Sequence, residues 1–186
     1  YILNLSHLTK NNLPLYNKSI NFRIRSDLLM RRKDREITDY AQITAIMDNC
    51  DACRLGLLEN QIPYIVPLSF GYEIDEKHHI TLYFHSASEG RKLDLIRQNN
   101  HVAFEMDTAH ELFGHDTDAC GYGMRYQCVM GTGTARLVED EAEKLHAFDQ
   151  IMAHYTDKKL PYKPQYLHAA TIIAVDVVSI SCKVHK

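Results

Sequence analysis

The segment LYFHSASEGRKL, residues 82–93, carries polar and basic side chains at the point where an apolar strand gives way to a helix. Its first residues favour a strand, and Ser86 and Ser88 are of the residue type that caps helices. A helix N-terminus exposes unpaired backbone N–H groups and the positive end of the helix dipole. Arg91 and Lys92 add two cations there. This combination is suited to binding a phosphate group.

Cys50 and Cys53 form a C-x-x-C pair, a spacing found in zinc sites and in redox dithiols. A zinc site needs two more ligands at matching spacing, and the later Cys120 and Cys128 do not form a second such pair. A redox dithiol stays open, but a thioredoxin-type pair opens a helix, whereas this pair closes one. Cys50 continues an apolar helix face that begins at Ile43. We therefore predict a structural thiol there and no metal site.

Two further motifs resemble known signatures without matching them. In HELFGH, residues 110–115, the histidines are five residues apart, so a helix would place them on different faces, unlike those of H-E-x-x-H proteases. The G-x-G pairs at 121–123 and 131–133 lack the third glycine of the dinucleotide-binding fingerprint. Glycines inside the strand-like run CVMGTGTARLV favour a bend or a bulge, as in a small barrel.

Length and composition limit the class of protein. The chain has 186 residues, 45% of them hydrophobic, which is enough for one domain with a substantial core. A net charge of −3 gives no support to a nucleic-acid partner, and no apolar stretch approaches the roughly 20 residues of a membrane span. Five cysteines and the lack of a secretory signal favour reduced thiols, so we expect a soluble cytoplasmic protein.

Residues 1–29 differ in character from the rest of the chain. They carry four basic residues against one acidic residue, a balance of +3, which leaves −6 for residues 30–186. Their apolar residues are interrupted by Asn, Ser and Lys, and Met30 is followed at once by a charged, helix-initiating stretch. Two interpretations remain, namely an extension outside a functional domain at 30–186 and an arm that packs on that domain or on a partner subunit.

The hydrophobic pattern predicts mostly antiparallel strands with helices inserted between them. Predicted helices cover residues 38–50, 88–99 and 139–155, and predicted strands cover 52–58, 63–72, 79–85, 101–107, 124–138 and 171–184, with a polar loop at 108–121. Six or so such strands indicate a small barrel covered by helices.

Three segments together resemble a known family. PYIVPLSFGY, LYFHSASEGRKLDLIRQNNHVAFE and YQCVMGTGTARLVED are similar to the FMN-binding split barrel of the pyridoxamine 5′-phosphate oxidase superfamily, and within it to the 5-nitroimidazole resistance proteins, or nitroimidazole reductases. The resemblance covers nearly all of residues 30–186, and its most specific parts are H-S-A-x-x-G-x-K and the G-x-G-x-A strand. It implies a mainly β protein of α+β type, a six-stranded antiparallel split β-barrel with peripheral helices.

The resemblance also implies a cofactor, FMN with FAD left open, and the residues that hold it. Proteins of this kind are homodimers with a flavin at the subunit interface, so the second subunit contributes to each site. The phosphate is implied to bind at Ser86, Gly90, Arg91 and Lys92, the ring to lie along Val66, Pro67, Leu68 and Ser69, and Tyr126, Cys128 and Met130 to close the site from the other subunit.

The activity that the resemblance implies is reduction of a nitroaromatic compound, such as a 5-nitroimidazole, toward its amine. His85 is implied to act beside the flavin as a proton donor, with a nearby tyrosine as the alternative, although His85 also fits a histidine that is simply part of the barrel. Pyridoxamine phosphate oxidation is not supported, because the C-terminal SCKVHK lacks that enzyme's substrate motif. Two other functions stay open: a haem-binding or haem-degrading split barrel, which eleven histidines permit, and a flavin carrier without turnover.

Overall fold

The computed structural model describes residues 30–115 and 117–186, so the interpretations of residues 1–29 lie outside the described residues. The strands in this part of the chain are β1 (Glu36–Ile37), β2 (Cys53–Glu59), β3 (Ile62–Leu68), β4 (Phe70–Ile74), β5 (Ile80–Ala87), β6 (His101–His115), β7 (Asp118–Val138) and β8 (Ala170–His185). The α-helices are α1 (Tyr40–Asp48), α2 (Arg91–Gln98), α3 (Glu141–Tyr155) and α4 (Pro164–Ala169). None of these helices is long and apolar enough to cross a membrane.

The described strands form one antiparallel sheet that curves into a split barrel. Their order is β3-β2-β6-β7-β8-β5-β4, and β1 adds to β8. β3 and β4 stand at opposite ends of this order, yet only Ser69 separates them in the chain. One bent strand therefore supplies both edges of the sheet and leaves a gap between β3 and β5. The predicted split-barrel class is confirmed, with the predicted strand at 63–72 divided by a bend at Ser69.

Alternation along the strands divides the apolar residues into two layers. Leu82 and Phe84 of β5 point into the barrel, where they are fully buried. Tyr83 lies on the opposite face of the strand and packs against Ala147 and Ile151 of α3. Gly71 of β4 allows this packing, because a Cβ there would overlap the α3 backbone. α3 therefore lies directly on the sheet, next to the strand that carries the predicted site.

Aspartate side chains fix the starts of two helices. The carboxylate of Asp39 accepts a hydrogen bond from the Gln42 N–H at 3.0 Å, and that of Asp140 accepts one from the Glu143 N–H at 2.8 Å. Helix α2 differs, because it begins at Arg91 after Gly90, and no side chain caps it. Ser86 was predicted as a possible cap, but it lies inside β5.

The polar loop predicted at 108–121 is wrong, since β6 and β7 continue outward as a long hairpin. β6 runs to His115 and β7 starts at Asp118, with a break in register between Thr108 and Glu111. Most side chains of both arms are exposed, so the segment lacks the apolar alternation by which a half-buried strand is recognised. Backbone pairing and a cross-strand ion pair between Arg125 and Glu111, at 2.9 Å, hold it instead.

Candidate functional site

The gap of the barrel brings the two predicted cofactor-binding segments together. Phe70 of β4 pairs with Phe84 of β5, and the chain then turns away from β5 at Ser69. The next residue along β5 is His85, so the end of β3 and the end of β5 diverge from this point. Two segments that are separated in the sequence were predicted to bind one ligand. They line the two sides of the same opening, residues 66–69 on one side and residues 86–92 on the other.

The start of α2 leaves backbone donors free at this opening. The N–H groups of Leu93 and Asp94 bond to the carbonyl of Gly90, at 2.9 and 3.3 Å. The preceding N–H groups, on Arg91 and Lys92, have no acceptor within the helix, and no side chain caps them. Gly90 has a φ of 138°, a conformation that favours glycine, and a Cβ added there would meet no atom within 4 Å. The turn is therefore open toward an anion.

Ser86 supplies a second feature of a ligand site. Its side chain is 5% exposed, and among the described residues its hydroxyl oxygen has no hydrogen-bond partner. A buried polar group without a partner costs about 1–3 kcal/mol, so such groups are uncommon unless a ligand or water completes them. A phosphate or ribityl oxygen is the kind of group that would satisfy this hydroxyl.

The two cations of the turn have different surroundings. The guanidinium of Arg91 pairs with the carboxylate of Glu59, whose pKa it lowers, and lies 4.6 Å from the centre of the Tyr64 ring. Arg91 thus ties the turn to β2 and β3. Lys92 is half-buried and has no ion-pair partner among the described residues. Lys92 is therefore the cation that the turn holds available for an anionic ligand.

β3 forms the other side of the opening as a sheet edge, since β2 is its only partner among the described strands. Pro63 and Pro67 have no N–H to donate to a β ladder, so their nitrogens must face the free edge. Ile65 lies between them at the same alternation, so its N–H and carbonyl also point to the free edge. Val66 and Leu68 pack against the core, whereas Pro67 is exposed. The free edge consequently offers carbonyl acceptors and the N–H of Ile65 to a polar ligand edge.

His85 and Ser86 face opposite sides of β5. The His85 side chain is exposed on the outer face, and its ring lies 6.4 Å from that of Phe148 in α3. It lines a cavity of about 550 Å³ with Phe148, Tyr162 and Tyr166. Ser86 also borders this cavity, although its side chain is buried on the inner face of the strand, so the cavity and the opening meet at His85 and Ser86.

Tyr83 was the alternative proton donor in this segment, and its environment argues against that role. The side chain is buried, and its hydroxyl donates a hydrogen bond to Glu73 at 2.5 Å. Burial, and then the Glu73 carboxylate, raise the pKa of Tyr83. The same carboxylate accepts a hydrogen bond from His146 of α3 at 2.7 Å. Tyr83 therefore holds α3 against the sheet.

The three residues predicted on β7 do not join the opening within one chain, because β2 and β6 separate β7 from β3. The Tyr126 ring packs edge-on against His185, with 5.9 Å between centroids. Cys128 is buried, which raises its pKa to about 12, and its thiol lies 3.6 Å from Glu105. Met130 is exposed. Their predicted role in closing the site of a second subunit stays a prediction.

The C-x-x-C pair is enclosed in the core. Cys50 and Cys53 are both buried, and the Cys50 thiol donates a hydrogen bond to the Ile46 carbonyl at 3.2 Å. Burial raises the pKa of each thiol to about 12, which suppresses the reactive thiolate at neutral pH. This environment favours the structural interpretation. Within residues 30–115 and 117–186, no group of three or more His, Cys, Asp and Glu side chains is placed to hold a metal ion.

Sequence reasoning missed the residues that reach the site from distant segments. Glu59 is the last residue of β2, and its pairing with Arg91 joins positions 32 residues apart. Phe148 and Tyr162 approach His85 from α3 and from the loop before α4. The aromatic-rich run PYKPQY at 161–166 was the one available signal, and it did not indicate which part of the sheet its rings would contact.

Comparisons with known proteins agree with this fold. The family model described as pyridoxamine 5′-phosphate oxidase matches residues 39–184. Among solved structures, a putative 5-nitroimidazole antibiotic resistance protein from Bacteroides thetaiotaomicron is 35% identical, with a TM-score of 0.69, over 80% of this chain and 86% of that chain.

More distant solved structures share the fold. The flavocytochrome Anf3 from Azotobacter vinelandii is 21% identical, with a TM-score of 0.71, over 85% of this chain and 72% of that one. An FAD and haem binding protein from Mycobacterium smegmatis is 16% identical, with a TM-score of 0.68, over 82% and 74%. A search of curated proteins returned no match.

Proposed function

Because the chain belongs to the pyridoxamine 5′-phosphate oxidase family, we propose that it is a flavin-dependent reductase of nitroaromatic compounds such as 5-nitroimidazoles. The observation that carries this proposal is the opening between β3 and β5, where, among the described residues, the start of α2 has no side-chain cap, the Ser86 hydroxyl has no partner, and the edge of β3 is unpaired. The printed description of the Bacteroides relative, at 35% identity, supports the choice of substrate.

The turn at the start of α2 accounts for the phosphate end of FMN. The free N–H groups of Arg91 and Lys92 and the Lys92 ammonium would bind the phosphate, and Gly90 leaves room for its approach. Arg91 is paired with Glu59, so its charge is partly neutralised. It would hold the turn in position and contribute less than Lys92 to phosphate binding. The Ser86 hydroxyl would gain the partner that it lacks among the described residues.

The free edge of β3 accounts for the ring end. Its carbonyl groups and the Ile65 N–H would bind the polar edge of a planar ring, while the side chains of residues 66–68 line the edge with apolar groups on both faces of the strand. A reduced flavin supplies hydride equivalents to an acceptor stacked on its exposed face. The chain's task is therefore to hold the ring along β3 and to leave one face accessible.

His85 is the proposed catalytic residue for proton supply. Its imidazole is exposed at the end of β5, at the boundary between the opening and the outer cavity. The imidazole would donate a proton to the oxygen of a nitro group that is being reduced in the cavity. Phe148, whose ring lies 6.4 Å away, limits the orientations that the imidazole adopts.

The proposed active unit is a homodimer in which each flavin lies between subunits. Met130 and Tyr126 lie on β7, remote from their own opening, so they complete a site only in a second subunit. Sedimentation of the flavin-loaded protein is expected to show a dimer of about twice the 21.5 kDa chain mass. A monomer that keeps its flavin would contradict the shared site.

A visible spectrum followed by one reduction cycle tests the proposed function. The purified protein should absorb near ~450 nm as a flavoprotein, not near ~410 nm as a haem protein. After anaerobic reduction, addition of a 5-nitroimidazole should reoxidise it, whereas the same imidazole without the nitro group should not. A band near ~410 nm would support the haem alternative, and a flavin that stays reduced would indicate a carrier without turnover.

A further inference from the structure

The cavity beside His85 borders the opening at Ser86 and continues from there toward α3 and α4. It is open to solvent on one side and has a volume of about 550 Å³ between the end of β5, the start of β8, α3 and α4. We call it the α3–α4 cavity. Its size is in the range of small-molecule sites in proteins, about 300–1,000 Å³.

One wall of the α3–α4 cavity is a row of packed rings. The Phe148 ring lies 6.4 Å from that of His85 and 5.6 Å from that of Tyr162, with interplanar angles of 34° and 42°. The Tyr162 hydroxyl donates a hydrogen bond to Asp149 at 2.9 Å, which fixes the end of the row. Such a wall is already arranged to receive a flat, apolar ring on its face.

Small side chains form the floor of the cavity. Ala87 of β5 pairs with Ala170 of β8, and Ala169 precedes it. Their backbones belong to the sheet or to its junction with α4, so the floor is rigid. Because their side chains are only methyl groups, space remains above the floor for a ligand. Tyr166, 67% exposed, stands at the α4 side, where it is free to cover a bound ring.

The charges of the residues that line the cavity favour a ligand of a particular charge. None of the described residues that line the cavity is acidic, and Lys163 provides a cation at its rim. His85 at the inner end adds a group that is able to carry positive charge. An aromatic ligand with a negative group is therefore favoured over a neutral or cationic one.

We propose that the α3–α4 cavity binds a planar aromatic carboxylate, with its ring against Phe148 and Tyr162 and its carboxylate directed to Lys163. Binding itself is independent of turnover. The identity of the substrate rests on the proposed function. If the chain is a nitroaromatic reductase, its substrates are nitroaromatic carboxylates that bind with the nitro group at the His85 end and the carboxylate at the rim.

Calorimetric titration of the flavin-loaded protein with 4-nitrobenzoate and with nitrobenzene tests the proposal. The acid is expected to bind about fivefold more tightly than the neutral compound, the contribution of one partly exposed ion pair. Lys163→Gln should remove this preference. Lys159→Gln, which removes the same charge from a neighbouring cavity, should keep it. Tyr166→Ala should weaken both ligands and leave flavin absorbance unchanged.

Three results would overturn the assignment: equal affinity for the acid and the neutral compound, an acid preference that survives Lys163→Gln, or a loss of flavin from the Lys163 and Tyr166 variants. The last result would mean that the cavity holds part of the flavin. Tight binding of 4-nitrobenzoate without its reduction would contradict the proposed reductase but support the site. Reduction of nitrobenzene and 4-nitrobenzoate with equal affinity would support the reductase and contradict the site.

Discussion

Replacing His85 with asparagine is expected to leave the flavin bound and the barrel folded, while reduction of a nitroimidazole slows by about a hundred- to ten-thousand-fold. The side chain is exposed on the outer face of β5, so its removal opens no void in the core. Asparagine keeps a polar group of similar size there, but it cannot supply the proton. Binding should survive while turnover falls.

The decisive measurement is single-turnover reoxidation of the pre-reduced protein by substrate, at matched flavin occupancy, across pH 5 to 8, where histidine side chains change charge. His101→Asn is a suitable control, because His101 is exposed at the start of β6 and away from the opening. An unchanged rate and pH profile in the His85 variant would remove it as the acid and direct attention to Tyr126 or to solvent. A loss of rate in proportion to lost flavin or thermal stability would instead assign His85 a structural role.

Replacing Lys92 with alanine is expected to weaken FMN binding by about ten- to a hundredfold. A charge-assisted hydrogen bond contributes about 1.5–3 kcal/mol, and Lys92 has no competing ion pair among the described residues. Titration of the apoprotein with FMN measures the effect, which should diminish as salt concentration rises.

Arg97→Ala is the matched control for Lys92, because it removes a cation from the other end of α2, where Arg97 pairs with Asp94 at 2.9 Å. Its FMN affinity should equal that of the unsubstituted protein. If Lys92→Ala and Arg97→Ala bind FMN equally well, Lys92 does not contact the phosphate, and the α2 backbone alone would have to provide that site.

Local patterns were sufficient to predict most of the elements and the class of fold. The alternation of Ile80, Leu82 and Phe84 marks a strand with one face in the core, and the structure buries all three. Asp39 is of the residue type that caps helices, and its carboxylate accepts the capping hydrogen bond at the start of α1. Strand alternation and helix capping depend on residues only a few positions apart, so a single sequence is sufficient to predict them.

Contacts between distant segments were not predictable in the same way. The bend at Ser69 depends on β3 and β4 pairing with different strands, and the Arg91–Glu59 pair depends on where the β2–β3 turn meets α2. The sequence placed His85 and Ser86 side by side as parts of one motif. Strand pairing shows that they lie on opposite faces of β5, and the position of α3 shows which ring His85 contacts.

The two prolines on the free edge of β3 have a consequence for the protein before any cofactor is bound. An unpaired strand edge is a template on which another chain can add a strand, and this is a common route to aggregation. Pro63 and Pro67 remove two of the N–H groups that such pairing requires, on the side that faces away from β2. A newly synthesised chain is thereby protected against edge-to-edge association, while the same edge keeps the carbonyl groups that a flavin would use.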